Sequence, residues 1–139
     1  SKMSNLNPAA QQALAAFQDC QQWEQRARLL LQWAAQLDEL PEELRTDEHL
    51  VHGCETKVWL VLEQHPEQPS FRIASEARLL RGLLALLLVR IEGLTAEQIA
   101  TVDCIQWFTQ LGLSRQLSPS RSNGLTAVVS KMQVLLKQK

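Results

Sequence analysis

One segment limits the possible folds of this chain more than any other. Residues 82–89 form a run of apolar and small residues that is bounded by Arg81 and Arg90. A helix that crosses a bilayer needs roughly 20 apolar residues, so this run is far too short to span a membrane. Within the longer segment 76–92, apolar residues occupy nearly every side of a helix. The sequence therefore predicts a central buried helix over 76–92, with the other elements packed around it.

Amphipathic helices are predicted on both sides of the central helix. The Ala- and Gln-rich segment 8–18 is expected to be helical. Asp19 and Gln22 have the spacing of a capping box, which predicts a second helix that reaches about Leu37. Ser75 is the expected N-cap of the central helix. Three further helices are predicted over 95–100, over 104–111 and from Pro119 to the end of the chain.

Extended segments interrupt this helical pattern between the second helix and the central one. Residues 57–64 are apolar on both faces, and residues 70–74 alternate in the way that a strand does. The prolines in 65–69 predict a turn between them, and hence an antiparallel hairpin. Residues 49–53 are a candidate third strand. The predicted fold class is α+β, with a small antiparallel three-stranded sheet packed against a layer of helices.

Length and charge narrow the class of protein further. A chain of 139 residues suits one domain, here predicted over 1–139, with 1–8 as a flexible tail. Ser1 and Lys2 precede Met3 and are interpreted as additions to the natural start. The net charge of −1 and the scattered aromatic residues do not favour nucleic acid as a partner. No charged-then-apolar leader opens the chain, so the cytoplasm is the expected location.

Three cysteines, Cys20, Cys54 and Cys104, are the candidate reactive residues. Their odd number and the lack of C-x-x-C spacing argue against a disulfide framework. Cys20 and Cys104 are each expected at the start of an amphipathic helix, where a half-buried packing role is the favoured interpretation. His49, His52 and Cys54 form H-x-x-H-x-C, but no fourth ligand has zinc-site spacing nearby, so no metal site is predicted.

Cys54 differs from the other two cysteines because it follows a glycine between two candidate strands. Gly53 allows a tight turn there, and loops on rigid scaffolds often carry reactive groups. Lys57 and Arg121 are candidate cations that would favour the thiolate, and His52 is a candidate local base. A small residue that merely closes a turn is an equally good interpretation of the local sequence.

Two other candidate groups have simpler interpretations. Arg121 lies at the start of the last predicted helix, where backbone N–H groups and the guanidinium would suit an anion. An ordinary capped helix start with an exposed arginine explains the same residues. Glu76 is most simply an acidic residue in the first turn of the central helix, and Trp59 a core residue. No Ser–His–Asp order, phosphate-binding glycine loop or carboxylate pair is identified.

Taken together, the segments from about Phe17 to Leu136 resemble the SufE/CsdE family of sulfur-acceptor proteins, the partners of cysteine desulfurases in iron–sulfur cluster assembly. The most specific parts of the match are a Gly-Cys…Val-Trp element, from Gly53 to Trp59, and a Ser-Arg-x-x-Gly element, from Ser120 to Gly124, in this order and spacing. Glu76 stands where many members have Asp, and Thr56 where Ser is common. The matching motifs are Trp23-Glu24, Leu40-Pro41, Gly53-Cys54-Glu55-Thr56-Lys57-Val58-Trp59, Ser75-Glu76-Ala77, Arg81-Gly82-Leu83-Leu84-Ala85, Trp107-Phe108 and Leu117-Ser118-Pro119-Ser120-Arg121-Ser122-Asn123-Gly124-Leu125.

The resemblance implies a role for Cys54 and for a few residues around it. Cys54 would accept persulfide sulfur from a SufS- or CsdA-like desulfurase, whose pyridoxal phosphate makes the persulfide, and would pass it to a cluster scaffold or another acceptor. The chain itself would be a sulfur carrier without a cofactor, not an enzyme. Either the desulfurase or a second copy of the chain, in a homodimer, would cover an apolar loop around the thiol. A SufE/IscU-like fold is implied, and a scaffold that assembles a cluster on its own cysteines is the alternative. The implied supporting residues are His52, Gly53, Glu55, Lys57, Glu76 and Arg121.

A persulfide is easily lost to reductants. We therefore expect Cys54 to be partly shielded at rest, and we expect that shielding to open when a partner docks.

Overall fold

A hairpin of two strands lies against a layer of helices. The computed structural model describes residues 6–63 and 68–138. Short 3₁₀ turns occupy Glu42–Leu44, Asp47–His49 and Ser114–Gln116. The main elements are α1 (Pro8–Gln18), α2 (Trp23–Ala34), β1 (Val58–Glu63), β2 (Ser70–Ser75), α3 (Arg78–Ile91), α4 (Ala96–Ala100), α5 (Cys104–Gln110) and α6 (Pro119–Lys137).

Helix α3 is the centre of the core, which confirms the prediction from its apolar sequence. Leu83, Leu84, Leu86 and Leu87 are fully buried. The indole Nε1 of Trp107 on α5 donates a hydrogen bond to the Leu86 carbonyl oxygen over 3.1 Å. A helix that is apolar on nearly all sides is stable in water only when other elements cover most of it, and here the surrounding helices and the hairpin bury residues 82–87 and leave Leu88 and Val89 partly buried.

The start of α3 differs from its prediction by two residues. Ser75 was expected to be the N-cap, but it is the last residue of β2, and Ala77 precedes the first helical residue, Arg78. The Ser75 hydroxyl instead accepts a hydrogen bond from the Ala77 N–H over 3.3 Å. Pairing of Ser75 with Val58 continues the hairpin ladder, and this pairing delays the helix.

Gly82 lets α3 approach α2 closely, and its replacement is expected to destabilise the fold. A Cβ added at Gly82 would lie 2.5 Å from the backbone carbonyl oxygen of Leu30, and backbone cannot rotate away. We expect Gly82→Ala to lower the free energy of unfolding by about 2 kcal/mol, as other overpacked cores do. Urea unfolding followed by circular dichroism measures this change.

The matched control for Gly82→Ala is Gly124→Ala, which also adds one methyl group inside a helix. A Cβ at Gly124 would make only an ordinary contact, 3.5 Å from the Cys54 sulfur. Because alanine has a higher helix propensity than glycine, Gly124→Ala is expected to raise the free energy of unfolding by up to about 1 kcal/mol. Equal stability changes in the two variants would contradict the close approach of α2 and α3.

The hairpin has the predicted antiparallel pairing, with Val58 opposite Ser75 and Glu63 opposite Ser70. Its two faces are both covered, as the apolar sequence of β1 predicts. Leu60 faces the main core, whereas Trp59 belongs to a smaller cluster with Leu40 and Ala74. The core position predicted for Trp59 is therefore confirmed. Residues 65–67 of the predicted turn lie outside the described residues.

The third strand predicted over 49–53 does not form, and the described sheet has two strands. Asp47–His49 is a 3₁₀ turn, and only an isolated bridge links Leu50 to Trp59. The His49 Nδ1 atom lies 2.8 Å from the Leu44 carbonyl oxygen, which ties this segment back on itself. Gly53 then turns the chain with a φ of 99°, so the pairing with β1 cannot continue.

The helix ends are partly as predicted. Thr95 with Gln98 forms the expected capping box, and Ser118 caps α6 with Pro119 in its first turn. The capping box predicted for Asp19 and Gln22 is wrong, because Gln22 itself is the N-cap and pairs with Gln25. Helix α2 ends at Ala34 and not near Leu37.

The last residues of the predicted flexible tail, residues 6–8, are part of the fold. Leu6 is buried, and the Asn7 side chain accepts a hydrogen bond from the Ala10 N–H over 2.7 Å. Asn7 also donates to the Val89 carbonyl oxygen over 2.8 Å, which ties the start of α1 to α3. Residues 1–5 lie outside the described residues. Within 6–63 and 68–138, no helix combines the length and apolar character needed to cross a membrane.

Candidate functional site

Cys54 lies on a closed loop that precedes β1. This segment, residues 51–58, is called the thiol loop. The Val51 N–H donates to the Val58 carbonyl oxygen over 2.8 Å, which joins the two ends of the loop. Gly53 has the positive φ that its position before Cys54 predicts, a conformation that other residues adopt at a cost. The thiol is thus presented on a turn whose base is fixed to the hairpin.

The Cys54 thiol is half-buried against the start of α6. Its Sγ donates a hydrogen bond to the Gly124 carbonyl oxygen at 3.7 Å, and the side chain contacts the edge of the main core. Burial raises the pKa of the Cys54 thiol above its ordinary value. From the sequence, Lys57 and Arg121 were candidate cations that would lower this pKa. In this conformation burial raises it instead. The expected partial shielding is confirmed.

A groove with a volume of about 520 Å³ opens beside the thiol. The first residues of α3 and α6 border it, so two helix N-termini with their partial positive charge face the same space. Arg78 and Arg121 add two full positive charges, and Glu55 adds one negative charge. The groove is lined by Cys54, Glu55, Thr56, Ala77, Arg78, Leu79, Leu80, Ser118, Ser120, Arg121 and Gly124.

Arg121 is held in place at the groove by two hydrogen bonds. Its backbone N–H donates to the Ser118 hydroxyl over 3.2 Å, and its guanidinium donates to the Gln116 carbonyl oxygen over 3.1 Å. The structure therefore brings Arg121 and Cys54 together across a long stretch of sequence. The capped helix start left open from the sequence describes this region, and the anion site at the same helix start stays a prediction.

The other predicted supporting residues have different positions. Glu55 lines the groove with Cys54, whereas Lys57 and His52 are exposed on the thiol loop and do not line it. Glu76 is exposed just before Ala77 and also lies outside the lining. Sequence reasoning missed Arg78, because its side of α3 depends on where that helix begins.

Cys104 has the packing role that the sequence favours, whereas Cys20 is partly exposed beyond the end of α1. The Cys20 Sγ donates to the Ala16 carbonyl oxygen at 3.5 Å. Cys104 is buried in the main core, and its pKa is raised by burial and further by the charge of Asp103. Among the residues that the structure describes, no three His, Cys, Asp or Glu side chains are grouped to hold a metal ion.

These features define a small α+β protein that presents one half-buried thiol beside a groove lined with arginine. The family model described as SufE, Fe-S metabolism associated domain, matches residues 11–136. The chain belongs to this family, which confirms the resemblance found in the sequence. The match covers the thiol loop, the groove and all of the helices except the first residues of α1 and the last of α6.

Individual relatives agree with the family assignment. The chain is 41% identical to an uncharacterised SufE-like protein of Rhizobium etli, over 79% of this chain and 77% of that protein. It is 39% identical to the sulfur acceptor protein CsdE of Escherichia coli, over 88% of this chain and 84% of that protein. The solution structure of a hypothetical protein from Thermus thermophilus has a TM-score of 0.74 and 21% identity over 96% of both chains, which shows a shared fold.

Proposed function

We propose that this protein accepts sulfur from a cysteine desulfurase on Cys54 and carries it as a persulfide. The observation that supports this most is the placement of Cys54 on a closed loop at the border of an open groove. A donor that approaches this groove reaches the sulfur without entering the core. The relative named sulfur acceptor protein CsdE supports the same assignment.

The proposed step is an exchange reaction between sulfur atoms. The Cys54 thiol loses its proton, and the thiolate attacks the outer sulfur of a persulfide on the desulfurase cysteine. A new S–S bond forms on Cys54, the S–S bond on the donor breaks, and the donor cysteine leaves as a thiolate. No external oxidant or reductant is needed. The pyridoxal phosphate that generates the donor persulfide belongs to the desulfurase, and this protein acts as carrier and activator, without independent turnover.

The charges around the groove suit this chemistry. Arg78 and Arg121 favour the thiolate and the persulfide anion over their neutral forms when sulfur enters the groove. Glu55 balances part of that charge at the rim. The exposed side chains of His52 and Lys57 on the thiol loop, and of Glu76 next to the groove residue Ala77, are proposed to contact the partner proteins. A cluster scaffold or another sulfur acceptor would then receive the sulfur.

Intact mass after the desulfurase reaction tests the proposal. The protein is incubated with a cysteine desulfurase and L-cysteine, separated without reductant, and weighed. One or more added sulfur atoms are expected, and peptide mapping is expected to locate them on Cys54. No added mass, or mass on Cys20 or Cys104 alone, would exclude Cys54 as the acceptor.

A scaffold that builds a cluster on its own cysteines has less support. Such a site typically needs several converging thiolates. Cys104 is buried in the main core and the Cys20 sulfur bonds to Ala16 of α1, so neither joins Cys54 at the groove. Anaerobic reconstitution with iron and sulfide is expected to give no stoichiometric cluster absorbance.

A further inference from the structure

One face of α6 lies along the chain segment that leads into the thiol loop. Gly124, Ala127 and Lys131 are spaced three and four residues apart, so they form a single stripe on this helix. The segment 48–54 runs past this stripe in the opposite direction to the helix. Glu48 and Leu50 contact Lys131 at the end of the stripe, and Cys54 contacts Gly124 at its start.

The first two contacts of this stripe are weak. Cys54 meets the Gly124 carbonyl oxygen through a thiol hydrogen bond of 3.7 Å, and thiols are weak donors. Gly53 lies next to Ala127, since a Cβ added at Gly53 would be 3.5 Å from the Ala127 Cβ. Neither contact holds the loop strongly, because one is a long sulfur bond and the other is van der Waals contact between small groups.

The third contact is much stronger. The Lys131 ammonium donates to the Leu50 carbonyl oxygen over 2.7 Å and to the Glu48 carbonyl oxygen over 3.2 Å. Hydrogen bonds from a charged donor are stronger than neutral ones. Leu50 immediately precedes the thiol loop, so this bond fixes the entrance of the loop to α6.

The loop is joined to the rest of the protein at its base as well. The Val51–Val58 hydrogen bond and the bridge between Leu50 and Trp59 connect it to β1. These bonds do not involve α6. The loop therefore has two separate attachments, one to the hairpin and one to α6.

We propose that Lys131 is a positioning residue that holds the thiol loop on α6 and so sets how often Cys54 is exposed to a partner. This inference deepens the proposed function, because it assigns a residue that controls access to the acceptor sulfur. In the resting state, the two hydrogen bonds of Lys131 keep the thiol half-buried against Gly124. Docking of a donor would have to break them to bring Cys54 out of its seat.

The test is the rate at which iodoacetamide alkylates each cysteine, followed by peptide mass. Lys131→Met keeps the aliphatic stem but removes the donor, and about a tenfold faster reaction at Cys54 is expected from the loss of charged hydrogen bonds. Lys131→Arg keeps a charged donor, so its Cys54 is expected to be alkylated at a rate within about twofold of the wild type. Lys137→Met is the matched control, because Lys137 is an exposed residue at the end of the same helix.

Cys104 reports whether any change is specific to the loop. It is buried in the main core, so its alkylation requires wider opening of the fold. An unchanged rate at Cys54 in Lys131→Met would overturn the proposal, and so would an equal rise at Cys104 or at Cys54 in Lys137→Met. If Lys131→Met does not fold, Lys131→Leu, which also lacks a donor, is compared instead, and a rate equal to the wild type would again overturn the proposal.

This experiment separates the inference from the proposed function. Alkylation needs no desulfurase, so a failed Lys131 result leaves the sulfur-acceptor role of Cys54 intact. Conversely, failure to find persulfide on Cys54 would not change the measured effect of Lys131 on its exposure.

Discussion

Cys54→Ala is expected to take up no sulfur from a cysteine desulfurase and to lose its stimulation of that enzyme. The reason is chemical, because alanine has no atom that can attack the donor persulfide. The loss should be complete to background and not a change in apparent affinity, since the groove that would receive the donor remains. Intact mass and sulfide release by the desulfurase measure the two effects.

The control for this variant is Cys20→Ala. Cys20 resembles Cys54 in being partly buried and in making one weak bond from its sulfur, yet it lies between α1 and α2. Cys20→Ala is expected to accept sulfur like the wild type. Stimulation that survives in Cys54→Ala would instead indicate a helical binding module that activates the desulfurase without thiol chemistry.

Local chemistry explains which parts of the fold were predictable. The central helix, the Thr95 capping box and the Pro119 start of α6 each depend on residues close together in sequence. The strand expected over 49–53 does not form because other contacts hold this segment, one of them local and one from distant α6. His49 bonds back to Leu44, and Lys131 on α6 takes the carbonyl oxygens at 48 and 50.

The functional site also has features that local sequence predicts and features that it does not. Gly53 beside Cys54 indicated a turned loop, and the order of the motifs indicated the acceptor role. The positions of Arg78 and Lys131 were not predictable, because each depends on how one helix is rotated against distant backbone. The pairing of two copies of the chain stays a prediction.

Burial gives the resting thiol a property that matters for a carrier. A thiol with a raised pKa is mostly protonated near neutral pH, and the protonated form is a poor nucleophile. We therefore expect Cys54 to react slowly with unrelated oxidants and electrophiles until its surroundings change. A donor that docks at the groove would move the sulfur closer to Arg78 and Arg121, which line the same groove and favour the anion.

The alkylation rate of Cys54 is accordingly expected to rise about a hundredfold between pH 6.5 and 8.5. Burial raises the pKa of Cys54, so this whole range lies below it and the thiolate fraction grows about tenfold for each pH unit. The unfolded chain in urea should reach its plateau at lower pH, because its thiol is fully hydrated. Iodoacetamide rates at Cys54, measured by peptide mass in both states, give the two profiles.

The same proton linkage fixes the sign of a stability change. The folded state holds the Cys54 proton more tightly than the unfolded state. The contribution of Cys54 to the free energy of unfolding is therefore fully present below the pKa of the unfolded chain, and it is lost as the pH rises through the pKa of the folded protein. Cys54→Ala should remove that part of the alkaline loss in stability. A Cys54 alkylation rate that is already level by about pH 7.5 would mean that a cation lowers the thiol pKa in the free protein. The site would then be activated before docking, and access alone, governed by the loop and Lys131, would control sulfur transfer.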